Sequence, residues 1–313
     1  MRHARAICSG AVCAMALCLM GLIGPPGAAL ALLVVPLPAL VVGGAAGVVH
    51  AAASSLAAGG LLGGVLGWPV AVSYLVLAGV PGLLAVLMLR RAWRLELIVP
   101  AAVAATFAGV AALALIFAPA TGSWSSAIAD AWRNSFDGAI NTYRDFGIMS
   151  ADQLAEMQSR RDDLAQSTVP FLPALLMVGA SGLWLANLRL SARWAAWPQL
   201  HALSRWRAPD VLIWLLIASG FGLFAPDTTV ALVSGNVFAI VLACYFGQGL
   251  AIVSYFFQRF RLPRGLRIAT YAVIALQQVA TALVVALGVF DLWGDFRQLT
   301  ARPADAALGS DSK

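Results

Sequence analysis

The chain has 313 residues, of which 61% are apolar and only 11% charged, with a mean hydropathy of +0.86. Those proportions exclude a soluble globular domain and place the chain among integral membrane proteins. The net charge of +6 does not signal a nucleic-acid partner, because the basic residues sit in short clusters at the ends of apolar runs rather than on a polar domain.

In chain order, nine apolar runs are long enough to be read as helical spans of a hydrocarbon core about 30 Å thick. They are Ile7–Ile23, Ala28–Val48, Ala51–Leu66, Pro69–Leu89, Leu97–Ala118, Val169–Leu188, Asp210–Phe224, Thr229–Gln258 and Leu266–Phe290. The first has the basic start and small residues near Ala28 that also mark cleavable signal peptides, but it reads better as a span. The third is the weakest, being rich in small residues, and is open to a re-entrant reading. The eighth is long enough to tilt or to project beyond the bilayer, with Gly247 and Gly249 as a weak point. The expected fold is all-α: a polytopic helical bundle of about eight to nine transmembrane helices with an extracytoplasmic amphipathic hairpin. Its expected divisions are N-terminal spans over 1–120, the hairpin over 121–168, C-terminal spans over 169–290 and a flexible polar tail over 291–313.

Alternating these spans from a cytoplasmic N-terminus puts Arg90, Arg91 and Arg94, the Arg189–Arg207 cluster and Arg259, Arg261, Arg264 and Arg267 inside. Glu96 and Asp210 are then the only acids there. Cytoplasmic loops carry such an excess of arginine. The stretch RFRLPRGLR is accordingly a cytoplasmic turn, broken by Pro263 and Gly265. An arginine-rich, Ala-, Gly- and Pro-rich composition with one lysine fits a GC-rich bacterium, so the expected location is the bacterial cytoplasmic (inner) membrane, crossed many times.

Between Thr121 and Thr168 the chain turns polar. Trp124, Ile128, Trp132, Phe136, Ile140 and Tyr143 recur every three or four residues, and Ser150 followed by Gln153 is a capping-box start for a second helix. The resulting hairpin lies on the outer membrane surface with its tryptophans at the interface, or serves as a lid or docking element.

Catalytic constellations are absent from the sequence. His3, His50 and His201 stand apart, no nucleophile elbow or phosphate loop is present, and no cofactor is implied; the protein reads as no enzyme. Cys8, Cys13, Cys18 and Cys244 read as apolar filler. Asp291 and Asp295 in DLWGD are four residues apart, a spacing that suits a cation on one helix face but belongs more often to a solvated turn. No ionisable residue falls in the middle of a span, which argues against a proton-coupled pump.

Neutral polar residues concentrate instead near the C-terminus. Tyr245, Gln248 and Tyr255 share one face of the eighth span, with Asn236 higher on it. In the ninth, Arg267, Tyr271, Gln278 and Thr281 fall within about 80° of each other at 100° per residue, with Gln277 adjacent. Such side chains must meet each other, water or a ligand. Asn236, Tyr245, Gln248, Tyr271, Gln277 and Gln278 are therefore the candidate substrate-binding residues. Small-residue stripes (Ala6, Gly10, Ala14, Cys18 and Ala51, Ser55, Gly59, Gly63, Gly67) suit close helix packing within the chain or docking of another membrane subunit.

The segments WPQLHALSRWRAPDVLIWLLIASGFGLFAP, CYFGQGLAIVSYFFQRFRLPRGLR and LGVFDLWGDFRQL, with SFDGAINTYRDFG and RRAWRLE, resemble the YybS-like family of bacterial polytopic membrane proteins, over most of the chain after about Pro69. That family is distantly similar to the substrate-binding S components of energy-coupling-factor transporters. The resemblance implies a substrate-capture membrane component for a small molecule, with the lipid bilayer and other membrane subunits as partners. A non-transporting scaffold for envelope machinery is the alternative. Single cysteines introduced at Ser150 and Gly265 in a cysteine-free background are expected to react from opposite sides of the membrane. An impermeant maleimide applied to intact spheroplasts reads this out, and equal labelling of both positions would overturn the orientation.

Overall fold

A computed structural model of the protein describes residues 2–20, 34–117, 124–195, 197, 206–294 and 296. The start of the expected second span, His201, Asp295 and residues 297–313 of the expected tail lie outside the described residues, as do the side chains of His3 and Trp124. Regular structure among the described residues is entirely helical. The chain forms two compact units, Met1–Leu200 and His201–Lys313.

In the first unit, α1 (Arg2–Met20), α2 (Leu37–Ala46) and α3 (Val48–Leu66) are followed by α4 (Trp68–Tyr74), which continues through a π-helical turn, Leu75–Gly79, into α5 (Val80–Arg90). Then come α6 (Leu95–Phe117), α7 (Trp124–Asp145), α8 (Ala151–Ser159), α9 (Arg161–Thr168) and, after one 3-10 turn, α10 (Leu172–Ser191). Gly47 and Gly67 separate α2, α3 and α4 because their φ values of 101° and 93° lie where side-chain-bearing residues are strained. The two small-residue stripes serve different neighbours: Gly10 and Ala14 of α1 pack on α3 at Ser54, Ala58 and Leu62, whereas Gly59 and Gly63 of the α3 stripe lie against Leu75 and Ala71. With lipid as apolar as leucine, such close approach is what holds membrane helices together.

Five helical stretches are long and apolar enough to cross a membrane, Val48–Leu66, Trp68–Arg90, Leu95–Leu113, Arg161–Ser191 and Thr228–Arg259, or six if a bent pair in the second unit counts as one span. The weakest expected span, the third, is among them. Shorter apolar helices cover Ala6–Leu19, Leu37–Ala46 and Leu212–Gly222, the first two beside residues outside the described ones. The expected seventh span is a helix of 11 residues, Leu212–Gly222, which at about 1.5 Å per residue does not reach about 30 Å.

The polar hairpin is stitched to itself. Ser150 and Gln153 make the expected capping box: the Ser150 hydroxyl accepts from the Gln153 N–H, and the Gln153 side chain accepts from the Ser150 N–H at 2.9 Å. Arg161 pairs with Asp137 at 3.0 Å and Arg133 with Asp162 at 3.2 Å. Ile140 and Leu154 are buried, and Trp132 stacks on Phe136 with centroids 5.1 Å apart. Much of the apolar stripe on α7 is thus consumed by the hairpin's own packing.

The second unit holds α11 (Leu212–Gly222), α12 (Thr228–Arg259), α13 (Arg264–Leu276) and α14 (Gln278–Gly294). Asp227 caps α12 by accepting from the Val230 N–H at 2.9 Å, and the helix runs unbroken through Gly247 and Gly249. The expected ninth span is in fact two helices bent by 101° at Gln277, whose backbone is extended. The Thr281 hydroxyl donates to the Ile274 carbonyl at 2.6 Å, supplying a partner at the break.

Arginines do comparable work at helix C-termini. Arg90 donates through Nε and Nη2 to the Gly43 carbonyl, at 3.1 and 2.8 Å, and through Nη2 to the Gly44 carbonyl at 3.0 Å, while Arg267 donates to the Leu262 carbonyl at 2.8 Å and the Phe257 carbonyl at 3.3 Å. Arg90→Leu is expected to cost about 1–3 kcal/mol, since the Gly44 carbonyl loses its side-chain donor and the Gly43 carbonyl keeps only the Gly47 N–H, whereas Arg91→Leu, at an exposed neighbour, should stay within about 0.5 kcal/mol of wild type. Thermal unfolding in detergent compares the two.

Candidate functional site

The polar residues worth following are in the second unit, and a glycine crossing places them. A Cβ added at Gly249 of α12 would run into the Val284 carbonyl of α14, and one at Gly288 would run into the Tyr245 carbonyl. Only glycine lets the two backbones touch. That contact brings Asp291, one turn beyond Gly288 on α14, beside Gln248 on α12.

Gln248 is wholly buried and uses both ends of its amide. Its Nε2 donates to Asp291 Oδ2 at 2.9 Å, and its Oε1 accepts from the Ala208 N–H at 3.0 Å. Asp291, 1% exposed, also accepts from the Phe296 N–H at 3.0 Å through Oδ1. Both carboxylate oxygens therefore face donors, the arrangement a buried acceptor needs. Arg207, next to Ala208, donates from Nη2 to the Leu292 carbonyl at 3.1 Å and lies 3.5 Å from Asp210. One network thus ties the segment before α11 to α12 and to the end of α14.

Two buried polar atoms in this network have no hydrogen-bond partner among the described residues: the Tyr245 hydroxyl and Arg207 Nε. Tyr245 is 0% exposed and lies one turn before Gln248 on α12, while Asp210 lies 3.5 Å from Arg207. A guanidinium, an amide and a carboxylate are thus joined in one network, with a buried phenol on the same helix. Among the described residues no group of three His, Cys, Asp or Glu is placed to hold a metal ion.

Of the six candidate residues, the structure brings Tyr245 and Gln248 together and separates the others from them. Asn236 donates to the Leu232 carbonyl of its own helix at 3.0 Å. Tyr271 packs edge-on against Phe257, centroids 5.4 Å apart, Gln277 forms the break, and Gln278 is exposed at the start of α14. The shared face proposed for Tyr271 and Gln278 required a continuous helix, which the 101° bend removes. Asp291 is the principal correction, since it reads in sequence as a solvated turn and is buried against a side chain far inside α12. The network also corrects the alternating topology locally: Arg207 and Leu292, assigned to opposite membrane faces, touch. Arg207 and Ala208 had no local signal, whereas an acid directly ending an apolar run, with glutamine on the preceding helix, was available as one.

Gln248→Leu should destabilise the protein by about 2–3 kcal/mol, since it strips a donor from buried Asp291 and an acceptor from Ala208. Adding Asp291→Leu should recover part of that loss by removing the stranded carboxylate. A double-mutant cycle by thermal unfolding measures the coupling.

Residues 12–292 match the DUF2232 family, described as a predicted membrane protein. No curated protein and no solved structure matches the chain.

Proposed function

The chain belongs to the DUF2232 family of predicted membrane proteins, and we propose that it captures a small polar molecule at the Arg207–Tyr245–Gln248–Asp291 network of its second unit. The observation that carries this reading is the pair of buried atoms, Tyr245 Oη and Arg207 Nε, that retain hydrogen-bonding capacity beside a saturated Gln248–Asp291 pair. Native proteins satisfy nearly all buried polar groups, and exceptions call for a cause. A ligand carrying a carbonyl or carboxylate oxygen supplies an acceptor to Arg207 Nε, and its polar remainder meets the Tyr245 hydroxyl.

On this reading the protein is the substrate-binding subunit of a transport system in a bacterial cytoplasmic membrane, without an ATPase motif of its own, and the α7–α9 hairpin lies on the outer side. The resemblance to the YybS-like family, and through it to S components, supports capture over catalysis. Burial of Ala14, Ala51 and Ala58 inside the chain leaves less of the small-residue stripes for a second subunit. The scaffold reading draws instead on Phe146 and Ile148, exposed at the turn between α7 and α8.

Tyr245→Phe separates these readings, because it removes only the hydroxyl. Its unliganded melting temperature should equal or exceed that of wild type, since an unpaired buried polar atom is lost. Native mass spectrometry of gently purified protein should show a small molecule retained by wild type and depleted about 5-fold to 150-fold in the variant, as loss of about 1–3 kcal/mol requires. Absence of any small molecule, with an envelope protein co-purifying, would favour the scaffold instead.

A further inference from the structure

The segment from Arg259 to Leu276 has a charge and shape that the binding network does not use. No acidic residue lies between Asp227 and Asp291 in the sequence, yet four arginines fall within nine residues there. Arg267 is occupied by the Leu262 and Phe257 carbonyls at the end of α12. Arg259, Arg261 and Arg264 are exposed and have no hydrogen-bond or ion-pair partner among the described residues. Three neighbouring exposed cations with no acidic partner among the described residues form a patch open to an external anion.

The following helix shows where that anion lies. On α13, Leu266, Ile268, Val273 and Leu276 fall on one arc of about 160° at 100° per residue, and they are 50%, 69%, 52% and 83% exposed. The opposite side faces the protein: Ile274 is buried, Tyr271 packs on Phe257 and Arg267 bonds to carbonyls. An outward apolar arc beside free arginines is the composition of a helix lying in a membrane interface. Its 13 residues reach only about 20 Å, too short to cross, and it stands at 101° to α14, as a surface helix must beside a crossing one.

We infer that α13 lies in the plane of the membrane surface with its apolar arc in the acyl region, and that Arg259, Arg261 and Arg264 bind the phosphates of anionic phospholipids. The guanidinium groups pair with headgroup oxygens while the apolar arc holds the helix at the right depth.

Two measurements on the full-length protein test this. In native mass spectrometry from detergent, wild type titrated with phosphatidylglycerol should retain it over phosphatidylcholine of the same chains by about fivefold per arginine engaged. The R259Q/R261Q/R264Q variant should lose that preference with its melting temperature unchanged, and the corresponding triple lysine variant should keep most of it. Equal retention of both lipids by wild type, or an unchanged preference in the glutamine variant, would overturn the lipid site. So would displacement of phosphatidylglycerol by inorganic phosphate but not by chloride of equal ionic strength, which marks a free-anion site. In proteoliposomes containing phosphatidylglycerol, nitroxides attached at Ile268→Cys and Leu276→Cys should report equal depth by power saturation. A depth difference near 12 Å, the rise of about eight helical residues, would show a crossing helix and defeat the in-plane placement.

Discussion

A backbone carbonyl or N–H inside a bilayer has no water to turn to, and much of this structure follows from that constraint. Helices satisfy it along their length but not where they stop. Three of the stops, at Gly47, at the turn after Arg259 and at Gln277, are each met by a particular side chain. Arg90 serves the carbonyls of Gly43 and Gly44, Arg267 serves those of Phe257 and Leu262, and Thr281 serves that of Ile274. Arginine suits the first two because its fork spans adjacent carbonyls and keeps its charge at a helix's negative end. Two of the arginines in the basic clusters are therefore spent as structural caps.

The same constraint organises the second unit. Close backbone contact at Gly249 and Gly288 brings a carboxylate into the interior, where it must find donors. Gln248 and the Phe296 N–H provide them, and Gln248 in turn accepts from the Ala208 N–H. A glutamine can act as both donor and acceptor, which a leucine or a serine in its place would not do at that reach. Around this closed circuit remain Tyr245 and Arg207, each with one atom unmet. The centre of the network is paired and its edge is not, which is the contrast that the proposed reading rests on.

What the sequence made legible was local. The Ser150 capping box, the amphipathic stripes of the hairpin and the existence of several apolar helices depend on residues within a turn or two of each other, and they stand in the structure. The break at Gln277 had no such signal, because LQQV contains neither glycine nor proline and the apolar periodicity continues across it. Asp291 was visible as a residue but not as a buried one, since its partner is 43 positions earlier and the glycine crossing that joins them is a tertiary event. Among the described residues five or six stretches are long and apolar enough to span, fewer than the eight to nine expected, because apolar composition sets where a helix is tolerated in lipid whereas its length is set by breakers and by packing. Of the site, Tyr245 and Gln248 were recoverable from one helix face, and the loop that completes it was not.

The 32-residue α12 is longer than any partner laid against it. Gly222 of α11 lies against Ser234 on its first half, whereas Val284 and Gly288 of α14 press on Gly249 and Tyr245 further along. At about 1.5 Å per residue, Thr228 is about 31 Å from the Gly249 contact and Arg259 about 15 Å from it on the other side. A stiff rod resting on a fulcrum placed off-centre is a lever, and its arms here stand in a ratio of about two to one. Rocking about that fulcrum moves the Asp227 end roughly twice as far as the arginine turn, in the opposite direction. A rigid tilt of α12 about that contact would leave the buried Gln248, one residue from Gly249, almost where it is.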